Sequence, residues 1–426
     1  MEHTRRLMRA AAAFGRLAPA IGPEAFRRLL DAEPRFRHMF GGSKTKLRDD
    51  FMGALTSALI ARADVGRFPT STIRQLEDVA RENRKFGVAP RDYPTLGEHL
   101  LDVFAERLPP GLDSSMRVAA LRGALDEVLT LLADTAEAAE RAEGPATYTG
   151  RVLEVQRRTR HIAVIRVHCP DPIPFTVGQH IPIRSPLAPG IWRDYSPALP
   201  PNPEGLLEFH IRIVDGGAES RPLVVASRPG DEWTFGTPRG RLGTVLDAYR
   251  ARRYDGPPTG RHHLPEAAPR DILMVAGGTG LAPLRALIME AADLPSPPPI
   301  HLVYGARTPG ELYDLRTMVG LANNLPNLTL STAVEKRIDE PLTNPGPFSS
   351  HPAAPMPRLG VAADVAARIH RPGELAGKTV LIAGRGEMID VTRERLVEAG
   401  ADPRFIHHDP VAKTTVAREA RFPVLG

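Results

Sequence analysis

The feature that most constrains the fold is a change in hydrophobic period near residue 145. Before this point apolar residues recur every three or four positions, as in MRVAALRGALDEVLTLLADTAEAAER. After it they alternate with polar residues, as in YTGRVLEVQRR and LLEFHIRIV. The first spacing indicates amphipathic helices, and alternation indicates strands with one buried face. The sequence therefore predicts an all-helical first third followed by a sheet domain.

A second change begins near residue 270, where strands and helices alternate. For example, DILMVAGGTG leads into LAPLRALIMEAADL, and TVLIAGRGE leads into MIDVTRERLVEAG. This alternation is typical of a parallel sheet with crossover helices. We therefore predict a multidomain α + β protein, with an all-α domain at 1–145, an antiparallel β-barrel at 146–268 and an α/β parallel-sheet domain at 269–426. Two Pro- and His-rich segments, Gly243–Arg270 and Arg337–Arg358, are predicted to be surface insertions.

Composition excludes several kinds of site. With a single cysteine, Cys169, the chain cannot form an intrachain disulfide, a cysteine-based zinc site or a cysteine-ligated iron–sulfur cluster. Cys169 follows an apolar stretch and is predicted to be a buried strand-end residue. The net charge of +5 comes from scattered arginines, without the basic and aromatic stripe of a nucleic-acid-binding surface.

The sequence also lacks the signals of a membrane or exported protein. No apolar run approaches the ~20 residues of a membrane span. The N-terminal segment MEHTRRLMRAAAAFGRLAPAIG has no long apolar core of the kind found in export signals. We therefore expect a cytoplasmic protein that binds neither a membrane nor nucleic acid.

A glycine-rich turn joins a predicted strand to a predicted helix in VAGGTGLAPLRAL. Glycines at Gly277, Gly278 and Gly280 let the backbone approach a pyrophosphate, and the helix N-terminus supplies oriented N–H donors. Pro283 fits the first helical turn, where no N–H is needed. The strand–turn–helix context favours a dinucleotide-binding site over a turn that binds nothing.

A second candidate binding segment is WRDYSPALP. Arg193 offers a planar fork for a diphosphate, Tyr195 a ring for stacking, and Ser196 a hydroxyl for a ring nitrogen. Residues two apart on a strand point to the same face, so Arg193 and Tyr195 can contact one ligand. A surface strand before a Pro-rich loop is the alternative interpretation.

These two motifs, on a barrel and then on a parallel sheet, resemble the ferredoxin–NADP reductase family from about Thr147 to Pro410. VGQH resembles the family's Pro-Gly-Gln-aromatic strand, RDYS its flavin motif, and RPGDEWTFGTPRG its Pro-Gly-Asp and Pro-x-Gly turns. YGARTPGELYDL resembles its second dinucleotide-contacting strand, and RFIHHDP its last strand. The resemblance implies that the barrel binds FAD, that the last domain binds NADH or NADPH, and that hydride passes from nicotinamide to FAD.

The resemblance also implies which residues contact the cofactors. Tyr195 and Ser196, at the flavin ring, are the candidate catalytic residues. The implied FAD contacts are His180, Arg193, Asp194, Tyr195, Ser196, Asp409, Pro410 and Val411. The implied nicotinamide-cofactor contacts are Gly277, Gly278, Thr279, Gly280, Leu281, Ala282, Pro283, Arg307 and Gly384. No metal site is expected at HHDP, because neighbouring residues on a strand point to opposite faces.

Three positions depart from the family pattern. Ala383-Gly384-Arg385 stands where Cys-Gly-Pro is usual beside the nicotinamide. His180 replaces an aromatic residue, and Val411 stands where a Phe or Tyr often covers the flavin. These changes are expected to retune hydride transfer while leaving the binding motifs intact.

The helical third resembles the globin domain of the flavohaemoglobin family, in which a globin is joined directly to such a reductase. The resemblance is carried by AEPRFRHMF, RENRKFGVAPRDYPTLGEHLL and the final helix. Phe40 matches the Phe that packs on haem, and Tyr93 matches the Tyr that backs the proximal histidine. Members of this family oxidise nitric oxide to nitrate with haem, FAD and NAD(P)H.

The polar haem contacts of that family are missing from this sequence. Asn83 stands where the proximal histidine belongs, and a carboxamide has no basic nitrogen lone pair to offer iron. Phe26, Leu47 and Ala136 stand at the positions of the distal Tyr, the distal Gln and the Glu that orients the histidine. We therefore predict a globin shell that does not bind haem in the ordinary way. The residues of this degenerate haem pocket are Phe26, Phe40, Leu47, Asn83 and Tyr93.

Three functions stay open from the sequence. The first is an FAD-dependent NAD(P)H oxidoreductase that passes electrons from nicotinamide through flavin to a partner protein, oxygen or a small acceptor. The second is a flavohaemoglobin-type nitric oxide dioxygenase with unusual haem ligation, and the third is a flavin-binding sensor or accessory subunit with little turnover. The intact binding motifs favour the first. The sequence does not decide which acceptor is used or whether NADH or NADPH is preferred. It also does not decide whether the helical third forms the contact of a homodimer.

Overall fold

The first third of the chain is helical, as its hydrophobic period predicts. The computed structural model describes residues 2–33, 44–109, 112–188, 191–214, 220–250, 270–336 and 356–409. Within these ranges the helices of the first third are α1 (Glu2–Ala32), α2 (Lys44–Val65), α3 (Thr70–Asn83), α4 (Asp92–Arg107) and α5 (Leu112–Glu143). No helix within these described ranges is long and apolar enough to cross a bilayer.

The long helix α5 organises the helical core and packs against α1, α3 and α4. Its stripe of Leu121, Leu125, Val128 and Leu132 is fully buried, because residues three and four apart share a helix face. Helices α4 and α5 approach closely at Gly97, where an added Cβ would overlap the Leu129 side chain. A glycine there therefore sets the spacing of the two helices.

The second region is a six-stranded antiparallel sheet that comes close to a barrel. Its strand order is β4-β3-β6-β1-β2-β5. The strands are β1 (Thr147–Arg157), β2 (Ile162–His168), β3 (Ile181–Arg184), β4 (Arg193–Tyr195), β5 (Leu206–Arg212) and β6 (Glu232–Gly236), with helix α6 (Ser220–Ala226) before β6. The two edge strands meet, because Pro197 bridges Phe209 and the Ala198 amide donates to the Glu208 carbonyl over 2.8 Å.

The third region is a six-stranded parallel sheet with order β10-β9-β8-β7-β11-β12. Its strands are β7 (Ile272–Gly277), β8 (Ile300–Ala306), β9 (Leu328–Val334), β10 (Arg358–Leu359), β11 (Thr379–Ala383) and β12 (Ile406–His407). Its crossover helices are α8 (Leu281–Ala292), α9 (Leu315–Asn324), α10 (Ala362–Arg368) and α11 (Gly386–Glu398). The central strands β7 and β8 are largely buried, and β7 leads directly into the glycine-rich turn.

By contact density the chain forms two compact units. One contains Met1–Thr149 together with Pro182–Arg193 and Trp233–Thr237. The other contains Gly150–Ile181, Asp194–Glu232 and Pro238–Gly426. Strand β3, the chain leading to β4, and most of β6 therefore pack within the same unit as the helices.

The segment Gly243–Arg270, predicted to be a surface insertion, begins inside the core. Leu242–Leu246 forms a 3-10 turn that leads into α7 (Asp247–Arg250), and Leu246 and Tyr249 are buried. Elements of four or five residues are too short to display a hydrophobic period, so the sequence pattern missed them. Residues 251–269 and most of the second predicted insertion lie outside the described residues.

Cys169 directly follows β2 and is completely buried, as predicted. Burial raises the pKa of its thiol to about 12. A thiol that stays protonated at neutral pH is a poor nucleophile, so Cys169 is a packing residue.

Candidate functional site

The WRDYS segment forms β4 at the edge of the antiparallel sheet. Arg193 and Asp194 are exposed, while Tyr195 and Ser196 are half-buried. The chain then turns inward, and Pro197 and Ala198 are buried against β5. The motif therefore presents charged, aromatic and hydroxyl groups at the surface of a strand whose far end is anchored in the core.

A loop through Gly240 gathers several of the predicted flavin contacts. His180 and Arg239 exchange two backbone hydrogen bonds of 2.7 and 2.8 Å. The Arg239 guanidinium donates to the Asp194 carboxylate over 3.2 Å, and the Arg241 amide donates to Asp409 over 3.2 Å. His180, Asp194 and Asp409 lie far apart in sequence, and this loop brings them to one place.

Gly240 is a position where a glycine is required. Its φ of +108° lies in the region that residues with side chains rarely adopt. A Cβ there would lie 3.0 Å from the Asp409 carboxylate and 3.2 Å from the His180 ring. The bare backbone at Gly240, the Arg239 guanidinium that binds Asp194, and the Tyr195 ring next to Asp194 in the chain fit a flavin dinucleotide, which needs diphosphate donors and a stacking surface.

The glycine-rich turn lies where β7 ends and α8 begins. Gly278 to Gly280 form a 3-10 turn, and Leu281, Ala282 and Pro283 are buried in the first turn of α8. Gly278 has a φ of +54°. A Cβ at Gly280 would overlap the Ala383 carbonyl oxygen and would lie 2.6 Å from the Gly384 nitrogen. The turn can therefore be formed only with glycine at 280.

The end of the neighbouring strand β11 completes this turn. Strands β7 and β11 pair in parallel, with Ala276 opposite Ala383, so their carboxyl ends lie side by side. Added Cβ atoms at Gly277 and Gly384 would lie 3.1 and 2.7 Å from the Met388 sulfur. The two bare backbones beside a helix N-terminus fit a pyrophosphate, as expected for a nicotinamide dinucleotide.

A cation that the sequence did not single out lies at the same turn. The Arg212 guanidinium, at the end of β5, lies 3.2 Å from the position of a Cβ on Gly278. Glu311 pairs with Arg212 over 3.4 Å and with Arg307 over 2.6 Å. Burial acts to raise the pKa of Glu311, but Arg307 and Arg212 outweigh it and lower that pKa. The predicted nucleotide contact Arg307 and the missed Arg212 are thus tied to one carboxylate.

A buried ionic network connects β5 to the parallel-sheet region. The Arg285 guanidinium donates to Glu208 over 2.6 Å and to Asp314 over 3.1 Å, and all three residues are at least nine-tenths buried. His210 lies 3.0 Å from Glu208 and 2.7 Å from the Tyr313 hydroxyl. Burial acts to raise the pKa of Glu208, but His210, Arg285 and Arg166 hold it well below its usual value. The network fixes α8, and with it the glycine-rich turn, onto β5.

The predicted haem pocket is described only in part. Asn83 ends α3 with 6% of its surface exposed, and Tyr93 of α4 is 1% exposed. Burial raises the pKa of Tyr93 to about 12, opposed by the Asn83 side chain. Phe26 packs edge-on against Phe51 at 6.2 Å. Phe40 and the side chain of Leu47 lie outside the described residues.

Several of the predicted contacts fall into two groups. The structure brings His180, Asp194 and Asp409 together in one group, and Gly277, Gly278, Gly280, Arg307 and Gly384 in the other. Pro410 and Val411 lie outside the described residues. Arg239 and Arg212 were missed because a lone arginine in a strand or turn carries no pattern. Their only signal was position, next to the PRG turn and at the end of LLEFHIR.

Two protein families match this chain. Residues 151–243 match the oxidoreductase FAD-binding domain, and residues 274–394 match the oxidoreductase NAD-binding domain. The first range holds Arg193 to Ser196 and Gly240, and the second holds the glycine-rich turn and Gly384. Apart from Asp409, the residues of the two groups therefore lie within the matched ranges.

Curated relatives with similar sequences are electron-transfer proteins. The chain is 29% identical over 313 residues to the ferredoxin–NAD(P)⁺ reductase component of the naphthalene 1,2-dioxygenase/salicylate 5-hydroxylase systems of a Ralstonia species, covering 73% of this chain and 83% of that protein. It is 29% identical over 261 residues to the reductase component of the naphthalene 1,2-dioxygenase system of Pseudomonas putida, covering 61% and 67%.

A solved structure shares the fold over nearly the whole chain. This is the flavohemoglobin of Malassezia yamatoensis with bound FAD and heme, with a TM-score of 0.65 at 17% identity, covering 96% of this chain and 98% of that one. At this identity the likeness concerns the fold alone. Taken with the two matched domains and their relatives, the cofactor groups define the enzyme class. The protein is an oxidoreductase that binds FAD and a nicotinamide dinucleotide, and it passes electrons from the nicotinamide through the flavin to an acceptor.

Proposed function

We propose that the acceptor is a separate protein of the oxygenase type, so that this chain is the reductase component of a multi-protein system. The proposal rests on the relatives, which are named as reductase components of dioxygenase and monooxygenase systems. Bound FAD supplies the step from a two-electron donor to one-electron acceptors. In this arrangement the domains at 1–145, 146–268 and 269–426 are a helical module, an FAD module and a nicotinamide module.

We assign the flavin contacts to the two sides of the Gly240 loop and to β4. In this assignment Arg193 pairs with the diphosphate, and Tyr195 and Ser196 contact the ring system. Its support is that Arg193 is exposed and that Tyr195 and Ser196 are half-buried, on β4 and the residue that follows it. Arg239 orients Asp194 through their 3.2 Å ion pair. We also assign His180 and Asp409, which lie beside Gly240, to the flavin, together with Pro410 and Val411, which follow Asp409 in the sequence.

We assign the nicotinamide dinucleotide to the turn between β7 and α8. The single observation that carries this assignment is the overlap that any side chain at Gly280 would make with the Ala383 carbonyl. We assign the pyrophosphate to the backbone amides of the Gly278–Gly280 turn, beside which Arg212 adds a positive charge. Thr279, Leu281 to Pro283, Arg307 and Gly384 complete the proposed set.

The experiment that tests the function follows flavin absorption in the purified protein. We expect a yellow protein whose 450 nm band is bleached by NADH or NADPH within seconds under anaerobic conditions and returns on addition of ferricyanide. A protein that stays oxidised for minutes with both nucleotides is the flavin-binding sensor or accessory subunit, and that result excludes the reductase function. Faster oxidation by a [2Fe–2S] ferredoxin than by oxygen supports a protein acceptor.

We further infer that the helical module does not hold haem through residue 83. The carboxamide of Asn83 is buried beside Tyr93, and it offers iron no basic lone pair. The second candidate function, a nitric oxide dioxygenase with unusual ligation, draws on the likeness of fold to a flavohemoglobin. Titration with haemin separates the two, because a carbon monoxide-sensitive Soret band at one equivalent is expected only of the dioxygenase.

A further inference from the structure

Four side chains form an aromatic–cation cluster immediately before the flavin strand. They are Lys85, Phe86, Arg184 and Trp192. The rings of Phe86 and Trp192 meet edge to face, with centroids 6.2 Å apart and planes at 81°. The Lys85 ammonium lies 5.1 Å from the Phe86 ring centre and 5.7 Å from that of Trp192, and the Arg184 guanidinium lies 5.2 Å from Trp192. Trp192 thus contacts one aromatic ring and two cationic side chains.

The Lys85–Phe86 side of the cluster is buried, which strengthens the cation–π contacts of Lys85, while Arg184 and Trp192 are half-buried. Only 6% of the Lys85 side chain is exposed, and its ammonium pairs with Glu82 one turn earlier. Gly236, at the end of β6, lies next to the Lys85 stem, since a Cβ there would lie 3.4 Å from Lys85 Cδ. Lys85 is therefore held on its other side by the sheet.

The cluster joins two segments that matter for different reasons. Lys85 and Phe86 belong to the 3-10 turn that directly follows Asn83, the residue at the position of a haem ligand. Trp192 directly precedes Arg193, the first residue of the flavin strand β4. Both segments pack within one compact unit, and Trp192 packs against the helical core.

We infer that the Lys85–Phe86 turn is a positioning element for FAD, which it serves by holding Trp192 and so fixing the strand that carries Arg193, Tyr195 and Ser196. The inference rests on the FAD-binding function and adds a role for the helical module within it. Strand β4 has only three residues, so it depends on its flanks for order. A strand already ordered before binding loses less conformational entropy when FAD arrives, and affinity rises accordingly. The role of the helical module is then to order strand β4, and not to carry a redox centre.

The test measures FAD binding by apoprotein, using fluorescence quenching of free FAD, for wild type and matched variants. We expect Trp192→Leu to weaken FAD binding about tenfold, which corresponds to about 1.4 kcal/mol. Trp192→Phe keeps a ring and is expected to restore affinity to within about threefold of wild type, and Lys85→Met to fall between the two. At saturating FAD, the KM for NADH is expected to stay unchanged in all three.

The matched control is Phe68→Leu, because Arg62 lies 6.0 Å from the Phe68 ring in the same helical core, away from β4. Its FAD affinity is expected to equal that of wild type. Wild-type affinity in Trp192→Leu, or an equal loss in Phe68→Leu, overturns the inference. If Trp192→Leu apoprotein does not unfold cooperatively, it is not properly folded, and Lys85→Met takes its place in the test. Wild-type FAD affinity in Lys85→Met then overturns the inference. A wild-type protein that binds no FAD overturns the proposed function, and with it this inference.

Discussion

At the residue scale, the proposed nucleotide site depends on backbone clearance at one glycine. Gly280 has an ordinary helical φ of −60°, so an alanine there meets no conformational penalty. The added methyl group would instead overlap the Ala383 carbonyl at the end of β11. The requirement for glycine is therefore one of space between two strand ends.

We predict that Gly280→Ala raises the KM for NADH at least tenfold while the protein keeps its FAD. The added methyl must push the turn away from β11, which displaces the amides that bind pyrophosphate. Gly320→Ala is the control, because it lies in α9 with no atom within 4 Å of its Cβ position and is expected to gain about 0.5–1 kcal/mol of stability. Steady-state kinetics and urea unfolding check both, and an unchanged KM in Gly280→Ala contradicts the assignment.

Arg212 provides a second prediction at this scale. Removing its charge in Arg212→Gln is expected to raise the KM for NADH about tenfold with little change in kcat, since a charge-assisted hydrogen bond contributes about 1.5–3 kcal/mol. FAD content is expected to stay at the wild-type level. Arg250→Gln, which breaks a partly exposed pair with Glu290 elsewhere in the molecule, serves as the control. Equal KM values for the two variants would count against a nucleotide contact at Arg212.

At the element scale, charged residues hold strands and helices together in the interior. Glu208 on β5, Arg285 on α8 and Asp314 before α9 form one buried network. Burial of charges is costly, so such a network stabilises only while every member has its partner. Its effect is to fix the helix that follows the nucleotide turn.

We predict that Glu208→Gln lowers the free energy of unfolding by about 3 kcal/mol, the size expected when a buried ion pair loses one partner. Arg285 then keeps only Asp314 as a carboxylate partner. Glu290→Gln, which breaks a partly exposed pair with Arg250, is expected to cost less than about 1 kcal/mol. Denaturant unfolding followed by circular dichroism measures both, and equal losses would mean that the network is not buried as described.

A histidine between strands makes stability depend on pH. His301 on β8 lies 3.0 Å from the Ser331 hydroxyl and edge-on to His370. Burial, followed by the charges of His370 and Lys378, lowers the pKa of His301 to about 4, with Glu374 acting in the opposite sense. Between the unfolded value of 6.5 and about 4, the unfolded chain binds a proton that the folded chain does not, so stability falls as pH falls.

We therefore predict that His301→Gln loses less thermal stability than wild type when the pH is lowered from about 7 to about 5. Glutamine can keep the hydrogen bond to Ser331 but does not titrate. His168→Gln, at an exposed position on β2, is expected to lose as much as wild type. Thermal melts at the two pH values decide, and parallel losses in His301→Gln and wild type would contradict the depressed pKa.

At the scale of the whole molecule, hydrophobic period predicted the regions well and the charged contacts poorly. The shift of period near residue 145 matches the junction of α5 and β1, and the glycine turn lies between β7 and α8 as expected. Arg212 and the Glu208–Arg285 network escaped prediction because their partners are distant in sequence, and charged residues in a strand usually face solvent. The buried turn at Leu242–Leu246 is too short for any period to show.

The proposed electron path runs from nicotinamide through the flavin to an external acceptor, without passing through iron in the helical module. If so, turnover with a one-electron acceptor does not depend on residue 83. Asn83→His replaces the carboxamide by an imidazole, which can ligate iron. We predict that this variant gains a Soret band with haemin that wild type lacks, while its rate of NADH-dependent ferricyanide reduction stays within about twofold of wild type.

Asn83→Gln controls for side-chain size, and it is expected to gain no Soret band because it is again an amide. The two measurements test different claims. Haemin binding tests whether residue 83 can ligate iron, and ferricyanide reduction tests whether electrons pass from nicotinamide through flavin. A wild type that takes up one equivalent of haemin would restore the dioxygenase alternative. A severalfold loss of ferricyanide reduction in both variants would instead mean that the turn after α3 transmits its packing to the flavin strand, because Lys85 and Phe86 follow Asn83 directly.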